Sequence, residues 1–278
     1  MQDAQGNTVT SSSASITLAI TTPGAATLTC TNSAVTASSG VATFAGCKID
    51  KAPADYTLTA TATDLTSATS STFTVASAAA STIAIQAGGT TQSAAVRAAV
   101  STLPSVIVKD AGGNPKPGVS VSFVVASGGG SVTGGSATTD ANGIATVTSW
   151  TLGDMAGANT LTATSGTLTG SPLTFSATGT VGDASKLAFT VQPGGGASQV
   201  AWNLQPEVTL QDAGGNTVPS SASITLTITT PAGATLACTS NPAAADNGVA
   251  TFAGCKINTA ATGYTLTATS GALTKVSS

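Results

Sequence analysis

The sequence predicts an all-β fold in which three β-sandwiches follow one another along the chain. Three observations carry that prediction. One unit of about 105 residues is written three times, apolar residues fall at every second position within it, and turn-forming clusters separate the alternating runs.

The outer copies are close. QDAQGNTV at 2–9 returns as QDAGGNTV at 211–218, SASITLAITTP at 13–23 as SASITLTITTP at 221–231, and YTLTAT at 56–61 again at 264–269. GVATFAGCKI stands unchanged at 40–49 and 248–257. A divergent copy lies between them, with KDAGGNP at 109–115, NGIATVT at 142–148 and NTLTAT at 159–164. The order is A–B–A, and the unit has the size of an immunoglobulin-like sandwich. SAAAS at 77–81 and GTVGDAS at 179–185 are small, polar and unpatterned, which puts the copies at 1–76, 77–181 and 182–278.

In the first copy Ile16, Leu18 and Ile20 face one way and Ser15, Thr17, Ala19 and Thr21 the other. Tyr56, Leu58 and Ala60 form a second apolar row. Val119, Val121, Phe123 and Val125 repeat the pattern in the middle copy, and Ile224, Leu226 and Ile228 in the last. DAGGN, TTPGA, TDANG and SGTLTG supply turns. Nothing has a helical period with caps. Each copy is expected to hold six to eight antiparallel strands in two packed sheets.

The ends cut through the unit. Met1 stands where Leu210 stands, so the first copy lacks its first strand, the counterpart of residues within 185–209; the last copy lacks the counterpart of STFTV at 71–75. Two readings follow: a piece of a longer array, or subunits that complete one another end to end and form a fibre. Residues 1–20 have neither the positive start nor the apolar core of a secretory signal, so an extracellular chain needs its signal upstream.

Composition excludes much chemistry. Charged residues are 7% of the chain, aromatics 4%, histidine is absent and Glu207 is the only glutamate. No imidazole base or ligand exists. A net charge of −3 removes the basic footprint of nucleic-acid binding, and no run of apolar residues is long enough for a membrane span. Neither a cofactor nor a resident metal is expected, and the chain reads as no enzyme.

Cys30, Cys47, Cys238 and Cys255 repeat one spacing of 17 in the outer copies, and the middle copy has none. The simplest pairing is Cys30–Cys47 and Cys238–Cys255, because each cysteine ends or follows an expected strand and antiparallel neighbours bring such ends together. Each loop would add about 3 kcal/mol on the chain-entropy view. The alternative is zinc, which wants four ligands, commonly CxxC pairs or histidine, and neither occurs. Disulfides imply an oxidising compartment.

The middle copy carries a further pattern: VKDAGGNPKPGVSVSF at 108–123, then SATTDANGIATVTSWTLGDMAGANTLTATSG at 136–166. It resembles the bacterial immunoglobulin-like repeats of group 1, the type found in invasin- and intimin-like adhesins, with their D-x-x-G-N-P, V-x-F strand, T-D-x-x-G-x-A and closing T-x-T-A strand. The outer copies keep QDAxGN and GVATF but depart at the proline and add cysteines, like a related bacterial sub-type. The resemblance spans essentially the whole chain. It implies tandem surface repeats that serve as spacers, with the binding domain elsewhere.

Other candidates have plainer readings. Asp110 with Asn114, Asp140 with Asn142 and Asp212 with Asn216 could suggest calcium, which needs six to eight converging oxygens; the simpler reading is turn shaping. A lysine isopeptide crosslink through Lys48 or Lys256 would pair with Asp3 or Asp212 and a nearby acid, yet Glu207 has no counterpart in the first copy. Serine has no base to activate it. GGGS at 128–131 and PGGGAS at 193–198 resemble phosphate loops without the GKS/T ending. TLTATAT at 57–63 and ITLTITT at 224–230 could present threonine rows to ice or polysaccharide, although threonine simply suits exposed strands. Trp150 and Trp202 are expected in packing, and Tyr56 and Tyr264 as tyrosine corners, with Asn159 in their place in the middle copy. The leading functional expectation is an extracellular or cell-surface stalk or spacer whose partners are neighbouring repeats. A self-assembling head-to-tail fibre subunit comes second, and an ice- or polysaccharide-binding module third.

Overall fold

The computed structural model describes residues 1–278 except 23–25, 90, 231–232 and 274. Part of the expected TTPGA turn therefore lies outside the described residues. The described residues contain no helix, so none crosses a membrane.

The middle copy is the most complete. A three-stranded sheet runs Ile144–Thr146, Ser105–Asp110, Ala80–Ala87, and faces a five-stranded sheet of Ser136–Thr138, Ser120–Ser127, Gly157–Thr164, Leu173–Thr180 and Gln92–Ala95. Period-two alternation sends Val106, Val108 and Ile83 inward from the first sheet and Val121, Phe123, Leu161 and Phe175 from the second, into one core with Trp150. Phe123 and Phe175 meet at 6.2 Å between ring centroids. One expectation is corrected here: Gln92–Ala95 pairs parallel to Leu173–Thr180, so the copy is not wholly antiparallel. The short strand runs on from Ala80–Ala87 and reaches the far sheet, where the free edge of Leu173–Thr180 accepts it in the same direction.

The last copy repeats the plan. Lys186–Val191, Glu207–Gln211 and Val249–Thr251 form one sheet, and Ala243–Ala244, Ser223–Thr230, Thr265–Thr269 and Val276–Ser277 the other. Leu187, Val208, Leu210, Ile224, Leu226, Phe252, Leu266 and Trp202 share the core between them.

The first copy departs from the two-sheet expectation. Its described residues form a single sheet of Ala34–Thr36, Ser15–Thr22, Ala54–Thr61, Ala68–Thr69 and Phe73–Val75, plus a two-stranded ladder of Leu28–Thr29 with Lys48–Ile49. Ile16, Ala37 and Tyr56 are its buried hydrophobic residues. Among the described residues, no counterpart of the pair Lys186–Val191 and Glu207–Gln211 lies over that sheet.

Candidate functional site: the joints between copies

The residues that meet where one copy passes to the next are those of the Asp-x-x-Gly-Asn turn. In the middle copy Asp110 ends the strand Ser105–Asp110 and the chain reverses, with Gly113 at φ +83°. One carboxylate oxygen of Asp110 accepts the N–H groups of Gly112 (2.9 Å) and Asn114 (2.8 Å). The other accepts the N–H of Ala78 at 3.0 Å, in the segment arriving from the first copy. Asn114 Oδ1 accepts the N–H of Ala52 at 3.1 Å, in the first copy's loop before Ala54–Thr61. Lys116 Nζ donates to the Ser77 carbonyl at 3.1 Å. A turn motif thus holds both the incoming linker and the preceding copy.

The second joint uses the same atoms. Asp212 accepts the Asn216 N–H at 2.9 Å through Oδ1 and the N–H of Gly182, in the arriving segment, at 3.0 Å through Oδ2. Asn216 Oδ1 accepts the N–H of Ala156 at 2.9 Å, and its Nδ2 donates to the Asp154 carbonyl at 2.7 Å. Arg97 reaches across to the Ala213 carbonyl at 3.3 Å and lies 3.5 Å from the Asp154 carboxylate. Gly214 is forced by this approach, because a Cβ there would collide with the Asp154 carbonyl oxygen.

Asp110 and Asp212 are 3% and 1% exposed, and among the described residues no lysine or arginine forms an ion pair with either. Burial pushes both carboxyls up, and the converging N–H donors, with the Asn side chain, outweigh it and leave both below the ordinary aspartate value. These oxygens are occupied by the chain's own donors rather than gathered for calcium. Asp140 is likewise taken up by the N–H groups of Asn142 and Ile144. Among the described residues no three histidine, cysteine, aspartate or glutamate side chains gather as a metal site would require.

The loop the first joint holds is itself fixed by a tyrosine corner, and the last copy has a second such corner. Tyr56 donates its hydroxyl to the Lys51 carbonyl at 2.9 Å, one residue before Ala52. Tyr264 donates to the Thr259 carbonyl at 2.8 Å. In the middle copy Asn159, 1% exposed, accepts the Gly153 N–H at 3.1 Å and donates to the Gly157 carbonyl at 3.1 Å. A different side chain organises the equivalent loop.

The remaining candidates fall as follows. Cys30 meets Cys47 with sulfurs 2.10 Å apart, and Cys238 meets Cys255 at 2.09 Å. Trp150 is fully buried and Trp202 is 9% exposed, each in its own core. The Glu207 carboxylate accepts the Thr190 hydroxyl at 2.9 Å, and Lys48 and Lys256 are exposed. A groove of about 310 Å³ is lined by the PGGGAS segment, Trp202 and Tyr264, and Tyr264 is its one ionisable residue. Threonines do fall in register: Thr17 meets Thr61 at 2.8 Å, and Thr59 meets Thr69 at 3.3 Å. Their hydroxyls bond one another across the strands.

Sequence reasoning read Asp110, Asn114, Asp212 and Asn216 as turn formers and missed that they join copies. A signal was there: Asp and Asn hold the same spacing in all three copies.

No protein-family profile matches the chain, and no curated protein matches it. Solved structures do. The Escherichia coli adhesin FdeC matches at 18% identity over 96% of this chain and 84% of its own, with a TM-score of 0.45. Invasin, a bacterial integrin-binding protein, matches at 17% over 97% of this chain and 51% of its own, with a TM-score of 0.37. The Yersinia pseudotuberculosis adhesin InvE matches at 17% over 70% of this chain and 57% of its own, with a TM-score of 0.32. Glycosyl hydrolases are also among the matched structures.

Proposed function

We propose that the chain is a structural repeat segment of a bacterial extracellular or cell-surface protein, three immunoglobulin-like copies in series, the middle and last of them two-sheet sandwiches, serving as a stalk or spacer of an adhesin. The supporting observation is the joint, built twice from the same atoms, with a buried aspartate on the incoming linker and an asparagine on the preceding copy's loop. Contacts of that kind favour a fixed angle between neighbours over free rotation about a linker. The two disulfides, each closing a loop in an outer copy, suit an oxidising exterior.

Small-angle scattering tests the proposal. Three copies in line, with strands of about 3.3 Å per residue plus loops, give a largest dimension on the order of 100 Å. The double variant Asn114→Ala, Asn216→Ala should keep its strands by circular dichroism and scatter as a broader set of shapes. Gly214→Ala should loosen the second joint alone. A wild-type profile matching one compact globule contradicts the proposal.

A further inference from the structure

The middle copy is entered and left by strands that lie side by side and run the same way. The incoming chain is held at Ala78 by Asp110, follows Ala80–Ala87 and continues into Gln92–Ala95. The outgoing chain follows Leu173–Thr180 and is held at Gly182 by Asp212. The two touch near both joints. Beside the first, Thr82 and Thr169 form a parallel bridge, in which Ile83 donates its N–H to the Thr169 carbonyl and Thr169 its own to the Ser81 carbonyl, each at 3.0 Å. Beside the second, Gln92, Ser93, Ala94 and Ala95 pair in parallel with Ala177, Thr178, Gly179 and Thr180. The Val96 N–H then donates to the Thr180 carbonyl at 2.9 Å, and the Thr180 hydroxyl to the Ala94 carbonyl at 3.2 Å.

Tension along a chain acts differently on the two kinds of strand pair. In an antiparallel pair the incoming and outgoing ends sit at one pole, and pulling them apart opens the bonds one after another. Here the incoming strand is pulled from its N-terminal end and the outgoing strand from its C-terminal end, at opposite poles. The ladder bonds run across that pull, so the strands must slide past each other and the bonds fail together. Ala80–Ala87 is also drawn lengthwise against Ser105–Asp110, its antiparallel neighbour.

We infer that this parallel pair is a tension clamp, and that resisting force is a function of the middle copy. The inference rests on the stalk reading above and says which bonds carry the stalk's load. Both joints feed the clamp directly, because the residues that Asp110 and Asp212 hold lie just before the incoming strand and just after the outgoing one. The middle copy has no cysteine, so no disulfide shares the load with these hydrogen bonds.

Single-molecule pulling on the full chain tests this in two geometries. Handles at the two termini shear the clamp. A handle at the N-terminus and another joined by a thioether to Thr167→Cys, in the exposed turn before Thr169, open the same bonds in turn from the end beside the first joint. End to end, the middle copy's step frees Ala80–Thr180, on the order of 350 Å at about 3.5 Å per residue. A thiol reductant leaves that step unchanged and lengthens those of the outer copies. Forced opening follows the unfolding barrier, so the end-to-end geometry should need several times the force of the other. Val96→Pro deletes the donor at the end of the ladder and should lower the end-to-end force by about half, with little change in the Thr167 geometry. If that variant loses its strands by circular dichroism, the two geometries decide alone. Equal forces in the two overturn the inference, as does a folded Val96→Pro chain that resists end-to-end tension like wild type. Either result leaves the stalk reading standing, since scattering from the relaxed chain tests that separately.

Discussion

Ten residues, GVATFAGCKI, occur twice without a change, and the two occurrences have different surroundings. In the last copy Val249–Thr251 is a strand paired with Glu207–Gln211, and Ala250, Phe252 and Cys255 are 0%, 1% and 0% exposed. In the first copy the counterpart of Val249–Thr251 makes one isolated bridge, between Ser38 and Val41, and only Lys48–Ile49 at the end of the stretch joins a ladder, with Leu28–Thr29. Val41 is 58% exposed, Phe44 is half-buried and Cys47 is exposed. Local pattern makes a segment able to be a strand, but an unpaired segment with one face uncovered gains neither ladder bonds nor burial. What lies across the sandwich decides.

The largest expected difference between the two regions is at the phenylalanines. Phe252→Ala empties a closed core and should cost about 3–5 kcal/mol, whereas Phe44→Ala should cost below about 1 kcal/mol. Calorimetry reads both, since separate cores unfold as separate transitions. Equal costs would mean that the first copy's face is covered in solution.

The cysteines come next. Removing the Cys238–Cys255 link should lower stability by about 3 kcal/mol on the chain-entropy view. Under native conditions a thiol reductant should open Cys30–Cys47 first, because Cys47 is exposed and Cys255 is sealed. Alkylation followed by mass spectrometry gives the order, and the reverse order breaks the comparison.

Acid should separate the turns by a smaller margin. Asp110 and Asp212 have folded-state values below that of an unfolded aspartate, about 3.9. Their contribution is present above that value and is lost as pH falls through the lower folded one. Both joints should therefore hold above about pH 4 and loosen below it. Asp3 is also held down, chiefly by the Asn7 side chain, but its protonation releases only its own turn. Distance distributions between labels placed across a joint, recorded along an acid titration, check this. A joint unchanged well below pH 3, the lower part of the carboxylate range, contradicts it.

Much of this architecture was legible in the residues. Ile224, Leu226 and Ile228 alternate in the sequence and alternate in burial, and Tyr56 and Tyr264 stand where a corner hydroxyl can turn back on its own loop. The joints were legible only in part. Asp110 shapes its turn through neighbours four residues away or fewer, which sequence pattern captures, but its bond to Ala78 spans 32 positions and depends on the path of the linker. The parallel pairing of Gln92–Ala95 hides for the same reason, since its partner lies about eighty residues on and no alternation encodes direction. The uncovered face of the first copy is a property of what pairs with residues 40–49, and the residues themselves are silent on it.

Backbone hydrogen exchange, read peptide by peptide in the intact chain, compares the two identical stretches under one set of conditions. Exchange should be slow across 249–252, where the ladder to Glu207–Gln211 and the bond from Phe252 to the Pro206 carbonyl hold the amides, and fast across 41–44. Equal protection of the two would contradict it.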